Sequence, residues 1–190
     1  VGRFEDRLVA AITHPLMLHY LDQAGSAGPN SKGVRNGSKA TGLNENLARE
    51  LLELHTLGVG GPYTQTDVRE LAELLTGLTV NLKRGVHFRP DLAEPGAETV
   101  LGQTYGGGDA AMRDIRRVLH DLARHPATAQ HMARKLAVHF VSDTPDPQLV
   151  NALSQSWRET GGDLTALYTA LVNHPSAWST DKRNIKQPFD

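Results

Sequence analysis

Between residues 4 and 24 apolar side chains recur at helical spacing, with Leu8, Ala11 and Ile12 followed by Leu16, Leu18 and Leu21, and His14-Pro15 interrupts the pattern. Two short helices meeting at a corner are predicted. Residues 44–57 form the strongest helical stretch, rich in Leu, Glu and Ala, and Gly58-Val59-Gly60-Gly61-Pro62 stops it as a glycine C-terminus does. The next helix opens at Thr64, whose hydroxyl is placed to cap while Asp67 completes a capping-box-like pair; it buries Val68, Leu71, Ala72 and Leu75 and ends at Gly77. The period then changes. Leu78-Thr79-Val80-Asn81-Leu82 alternates, Val86-His87-Phe88 is short and β-prone, and Gly85, Pro90, Pro95 and Gly96 supply turns, so 78–105 predicts an inserted antiparallel β-hairpin or meander. Helices return at 110–124, 126–141, 147–160 and 164–173, the last capped by Asp163. The expected fold class is mainly α: a multi-helix domain with a small inserted antiparallel β-hairpin.

Residues 25–42 carry no helical period, five glycines, and Lys32, Arg35 and Lys39 with no acid between Asp22 and Glu45. A mobile basic loop is expected there, with 26–39 its most mobile part. The dipeptide His-Pro recurs at His14-Pro15, His125-Pro126 and His174-Pro175. Proline suits the first helical position and pushes its predecessor out of the helix, so the repeat reads as corner chemistry.

Composition narrows the function classes. At 190 residues, 39% hydrophobic and 22% charged, the chain is expected to form one helical domain over 1–190, and disorder is excluded. A formal charge of -1 provides no field for nucleic acid, and no apolar run approaches the roughly 20 residues of a transmembrane segment. With no cysteine, thiolate catalysis and Cys-ligated metals drop out. The opening Val1-Gly2-Arg3-Phe4 lacks an initiator Met, which suggests a piece of a longer chain.

Candidate chemistry concentrates on 44–57. On a wheel of about 100° per residue Leu43, Leu47, Leu51, Leu54 and Leu57 fill an apolar arc, which makes this the expected central helix with Leu47, Leu51 and Leu54 in the core. Asn44, Glu50 and His55 fall inside that arc, while Asn46, Arg49, Glu53 and Thr56 lie opposite. A buried carboxylate needs a partner, so Glu50 is expected to meet a cation, a donor or a metal, with Lys135 and His139 of the 126–141 helix as natural candidates. The alternatives are satisfied core groups or a functional pocket lined by them. His131 and His139, about two turns or roughly 12 Å apart, do not clasp one ion unaided. No His-Glu-x-x-His, Gly-x-Ser-x-Gly, Gly-x-Gly-x-x-Gly or phosphate loop is present.

The run Asn44-Glu45-Asn46-Leu47-Ala48-Arg49-Glu50-Leu51-Leu52-Glu53-Leu54-His55-Thr56-Leu57-Gly58-Val59, then Tyr63-Thr64-Gln65-x-Asp67-Val68, resembles the hallmark segment of the bacterial family catalogued as domain of unknown function 1800. The resemblance continues through Thr99-Val100-Leu101-Gly102, His125-Pro126-Ala127-Thr128-Ala129, Ala133-Arg134-Lys135-Leu136, His139-Phe140 and His174-Pro175-x-Ala177-Trp178. It implies the central to C-terminal part of a longer, often exported or periplasmic protein without an established activity. Where the family pattern places a His ahead of the Pro-Gly and a Lys after it, this chain has Ala93 and Glu98, so any site those two served is altered. Asn44, Glu45, Glu50, Glu53 and His55 all match. The leading expectation is a binding or scaffolding module whose partner is the rest of its own chain or another protein, with no cofactor. The alternative is a metal-assisted hydrolase or oxidoreductase holding a divalent metal at Glu50 and His55, with Lys135 or His139 assisting.

Overall fold

A computed structural model describes residues 2–37, 42–81 and 83–178. Among them are nine α-helices: α1 (Phe4–Ile12), α2 (Pro15–Tyr20), α3 (Lys32–Arg35), α4 (Asn46–Glu50), α5 (Gln65–Leu75), α6 (Met112–Arg124), α7 (Pro126–Phe140), α8 (Pro147–Thr160) and α9 (Leu164–Asn173). Two separate antiparallel hairpins stand between α5 and α6, so the fold is mainly α with small β hairpins. The packing divides the chain into two compact units, Arg7–Leu122 and Val1–Asp6 with Ala123–Asp190.

In the larger unit, α5 has the cap its sequence announces: Thr64 Oγ1 accepts from Asp67 N at 3.2 Å, and Asp67 Oδ2 accepts from Thr64 N at 2.8 Å. Asp67 Oδ1 also accepts from Leu101 N at 2.7 Å. Burial alone would raise the Asp67 carboxyl, but the hydrogen bonds from Thr64 and Leu101 favour its charged form and hold it below the usual range. The first hairpin pairs β1 (Leu78–Asn81) with β2 (Gly85–Phe88), placing Leu78 opposite Phe88; Leu82, expected to extend that strand, lies outside the described residues. The second pairs β3 (Ala97–Val100) with β4 (Gln103–Gly106) around Leu101 and Gly102, both at positive φ of 51° and 76°. Such a turn normally advertises itself with Asn or Gly at its first position, and a leucine there conceals it.

The expectation for the 44–57 helix needs correction at its centre. Leu47, Ala48, Leu51 and Leu52 are fully buried, but α4 gives way to a π-helical turn over Leu51–His55. A π turn closes on the fifth residue and rotates less per residue than an α-helix, so every later side chain is displaced around the axis. Leu54, expected in the core, is therefore 46% exposed, and Thr56, expected on the polar side, is buried with its hydroxyl donating to Leu51 O at 2.7 Å.

The basic loop is likewise anchored more than its composition suggests. Ser26, Ala27 and Ser31 are buried, Ser31 caps α3, Gly28 N donates to Leu92 O at 2.9 Å, and Gly33 N donates to Asp91 O at 2.6 Å. Gly28 and Gly33 serve close approach: a Cβ on Gly33 would lie 2.6 Å from Leu92 Cδ2 and 2.9 Å from Asp91 O. Lys32 and Arg35 are exposed on α3, while Lys39 lies outside the described residues.

The smaller unit is built on α7, α8 and α9 around Trp157. Ala129, Ala133 and Ala137 give α7 a shallow face, and Leu149, Leu153 and Trp157 of α8 complete the buried cluster with Leu167 and Leu171 of α9. Trp157 stacks at a tilt on Phe4 with centroids 4.8 Å apart, and its indole N–H donates to Ala123 O at 3.2 Å. Asp163 caps α9 as expected, accepting from Ala166 N at 2.8 Å.

Candidate functional site

The five candidates on the hallmark segment lie on α4, on its lead-in and on the π turn that follows it. Asn44 is structural: its backbone N–H donates to Ser26 Oγ, its side-chain amide donates to Leu21 O, and its Oδ1 accepts from Asn46 N. Glu45 and Glu53, one turn either side of Arg49, receive its guanidinium at 3.2 and 3.3 Å, and Gln65 joins through Arg49 Nη2 at 2.9 Å and Glu45 Oε2 at 2.9 Å. Burial and the Glu53 carboxylate together raise the Tyr63 phenol. These pairs sit near solvent, where each contributes little, so the network fixes geometry more than it adds stability. Glu50 is half-buried rather than sunk in the core, and no hydrogen bond or ion pair to it is found among the described residues. His55, on the last residue of the π turn, is half-buried.

Lys135 and His139 belong to the smaller unit. Both are exposed, one turn apart on α7, and line a shallow groove with His131, Arg134 and Val138. His139 meets Phe140 edge-on at 4.6 Å.

The three His-Pro corners share one arrangement. In each, the imidazole Nδ1 accepts the backbone N–H two residues on, from Leu16, Ala127 and Ser176 at 3.2, 3.1 and 3.2 Å. The proline takes the first helical position, and the histidine acts as the cap. Burial lowers the pKa of His125, in keeping with a ring that must stay neutral to accept.

A different site, missed in the sequence, lies beside the second hairpin. Four carboxylates line one small pocket: Glu73 of α5, Glu94 of the connecting loop, Glu98 of β3 and Asp114 of α6. Its apolar lining comes from Leu74, Phe88, Ala110 and Ala111. Gly106 lets β4 pass close, since a Cβ there would fall 2.8 Å from Gly96 O and 3.3 Å from Glu98 Oε2. Around the rim, Glu94 accepts from Asn30, Glu73 pairs with Arg69 at 3.1 Å, and Arg113 stands 3.8 Å from Asp114 Oδ1. Glu98 has only the hydrogen bond of its own backbone for relief. Its residue is only 5% exposed, and among the described residues no cation pairs with its carboxylate and no other side chain hydrogen-bonds it. Burial, reinforced by Glu73, Glu70 and Glu94, pushes the Glu98 carboxyl up to about 7. Asp114 Oδ2 is also buried without a partner. Among the described residues no three His, Asp or Glu side chains are grouped as a metal would require, and no helix is long and apolar enough to cross a membrane.

The family model described as Protein of unknown function (DUF1800) matches residues 1–190. The chain belongs to this family. No curated protein and no solved structure matches the chain. In this member of DUF1800 Ala93 and Glu98, the two positions singled out above by resemblance, both line the carboxylate pocket, whereas Glu73, Glu94 and Asp114 carried no local signal.

Proposed function

We propose that this chain is a binding module, acting within a longer chain or on another protein, and that the carboxylate pocket beside the second hairpin is where it takes a cationic group. One observation carries the reading: Glu98 is almost wholly buried among other acids, and no cation among the described residues pairs with its carboxylate. An unpaired buried carboxylate costs several kcal/mol in practice, and a bound cation offsets that cost. Thermal unfolding at pH 8 and constant ionic strength tests it. Small cations replacing tetramethylammonium should raise the unfolding temperature of the natural protein and leave Glu98→Gln unmoved; equal responses of the two proteins would refute the site.

A second reading, a metal-assisted hydrolase or oxidoreductase, is favoured by the π turn at Leu51–His55. Such turns recur at functional sites, and this one ends at His55 and follows directly on the half-buried Glu50. Elemental analysis of the untagged protein separates the two readings.

A further inference from the structure

We infer that the recess between the C-terminal end of α2 and Asn44 binds a neutral polyhydroxylated ligand with the chemistry of a sugar ring. Its volume of about 320 Å³ lies within the range of small-molecule sites, and among the described residues His19, Asp22, Ala24, Gly25 and Asn44 line it. The lining stands on anchored backbone. Asp22 N donates to His19 O at 3.2 Å, closing the last turn of α2, and the Asn44 side-chain amide donates to Leu21 O at 3.3 Å. Asn44 Oδ1 accepts from Asn46 N at 2.8 Å, the Thr79 hydroxyl donates to Ala24 O at 3.0 Å, and the fully buried Gln23 donates to Leu75 O at 2.9 Å. The polar groups are held in place before a ligand arrives, which lowers the cost of binding one.

Asp22 is the informative residue. It follows the C-cap of α2 in the left-handed region, at φ 56° and ψ 23°, where a helix normally ends on Gly or Asn. Among the described residues only Leu101 shares that departure for a residue other than glycine. An aspartate tolerates this backbone best when its short side chain hydrogen-bonds locally. Here no hydrogen bond or ion pair to the side chain of Asp22, or to that of His19, is found among the described residues. The carboxylate, rather than the backbone, is then the reason for an aspartate at the edge of the recess.

The inventory of donors and acceptors sets the ligand class. Asp22 brings two acceptor oxygens, and His19 brings one donor and one acceptor. Asn44, with one amide proton and one lone pair used structurally, keeps one of each. A hydroxyl is both donor and acceptor, so neighbouring hydroxyls answer this mixed set, two of them donating to the Asp22 carboxylate. An anion would meet the Asp22 charge, and an ammonium would leave the donors of His19 and Asn44 unanswered. A transition metal would need a third His, Asp or Glu, and none is grouped with these among the described residues.

Nuclear magnetic resonance on the full chain tests this with methyl glucopyranoside, N-acetylglucosamine and myo-inositol as hydroxyl probes, against ethylammonium chloride, sodium acetate and zinc chloride. At least one hydroxyl probe should give saturable shifts at the amides of Asp22, Gly25 and Asn44, and the affinity should not change when salt is raised, since a neutral ligand is not screened. Asp22→Gly should weaken that binding by about ten-fold or more. Its unfolding temperature should hold or rise, because glycine suits the left-handed position. Asp22→Asn, which also tolerates that backbone and keeps the side-chain volume, should show the same loss and reads it independently if the glycine variant unfolds. His19→Ala should weaken binding several-fold in a folded chain. Tighter binding of ethylammonium, acetate or zinc than of any hydroxyl probe would overturn the ligand class. Hydroxyl binding that both Asp22 variants retain, or no saturable shift with any probe, would overturn the site, with Asp22 then only the residue that turns the chain out of α2.

Discussion

Replacing Glu98 by Gln keeps the shape of the side chain and removes one charge from a place where none is compensated. The carboxyl titrates near 4.5 in the unfolded chain and near 7 in the fold. Below pH 4.5 both states hold the proton, and the folded state loses nothing. Between 4.5 and 7 the unfolded state releases its proton while the folded state keeps it, so stability falls as pH rises; above 7 the loss is complete. At about 1.4 kcal/mol per unit the full effect is up to about 3 kcal/mol. Glu98→Gln should therefore be more stable than the natural protein by up to about 3 kcal/mol at pH 8 and nearly equal to it at pH 4.5. The charges acting on Glu98 are Glu70 and Glu73 of α5 and Glu94; Asp114 lines the same pocket, and Arg69 and Arg113 are engaged at the rim. Both tryptophans, Trp157 and Trp178, lie in the other compact unit, so their fluorescence is the wrong probe. Urea titration should follow amide resonances of β3 and β4 at intervals from pH 4.5 to 8. A stability difference that stays constant across that range, or that favours the natural protein at pH 8, would refute the uncompensated charge.

Leu51→Ala should cost about 2–5 kcal/mol in denaturant titration, whereas Leu54→Ala, on the exposed side of the π turn, should cost under about 1 kcal/mol; equal losses would restore a regular helix. Gly33→Ala should destabilise by about 1–3 kcal/mol, because its methyl meets Leu92 and the Asp91 carbonyl; a neutral result in thermal unfolding would show that the 25–42 segment gives way as a loose loop does. His125 has a lowered folded pKa, so its capping contribution is present above the unfolded value of 6.5 and is lost as pH falls through and below it. Trp157 fluorescence should show the smaller unit weakening from pH 7 to 5, and His125→Asn, which caps without titrating, should flatten that slope. If the metal reading of 44–57 holds, mass spectrometry of the purified protein should find a stoichiometric transition metal that Glu50→Gln and His55→Ala each remove; none in the natural protein ends that reading.

What the sequence determined by itself is whatever depends on neighbours within about a turn of helix. The Thr64 and Asp67 capping box, the Asp163 cap and the three His-Pro corners are interactions over two or three residues, and the helical period of Leu47, Leu51, Val68, Leu71 and Leu75 marks buried faces without knowledge of what they pack against. Tertiary structure decided the rest. The π turn at Leu51–His55 shifts the phase of a helix whose leucines look regular, so Leu54 and Thr56 exchange their expected environments. Gly28 and Gly33, two of the five glycines in 25–42 that read as mobility, are positions where the chain lies close against residues 91–94, which depends on where those residues return. Glu73, Glu94, Glu98 and Asp114 come from four separate segments, and of the four only Glu98 was singled out in its own stretch. Their significance is desolvation and repulsion, which exist only once packing removes the water around Glu98 and brings the carboxylates of Glu73, Glu70 and Glu94 within reach of its field.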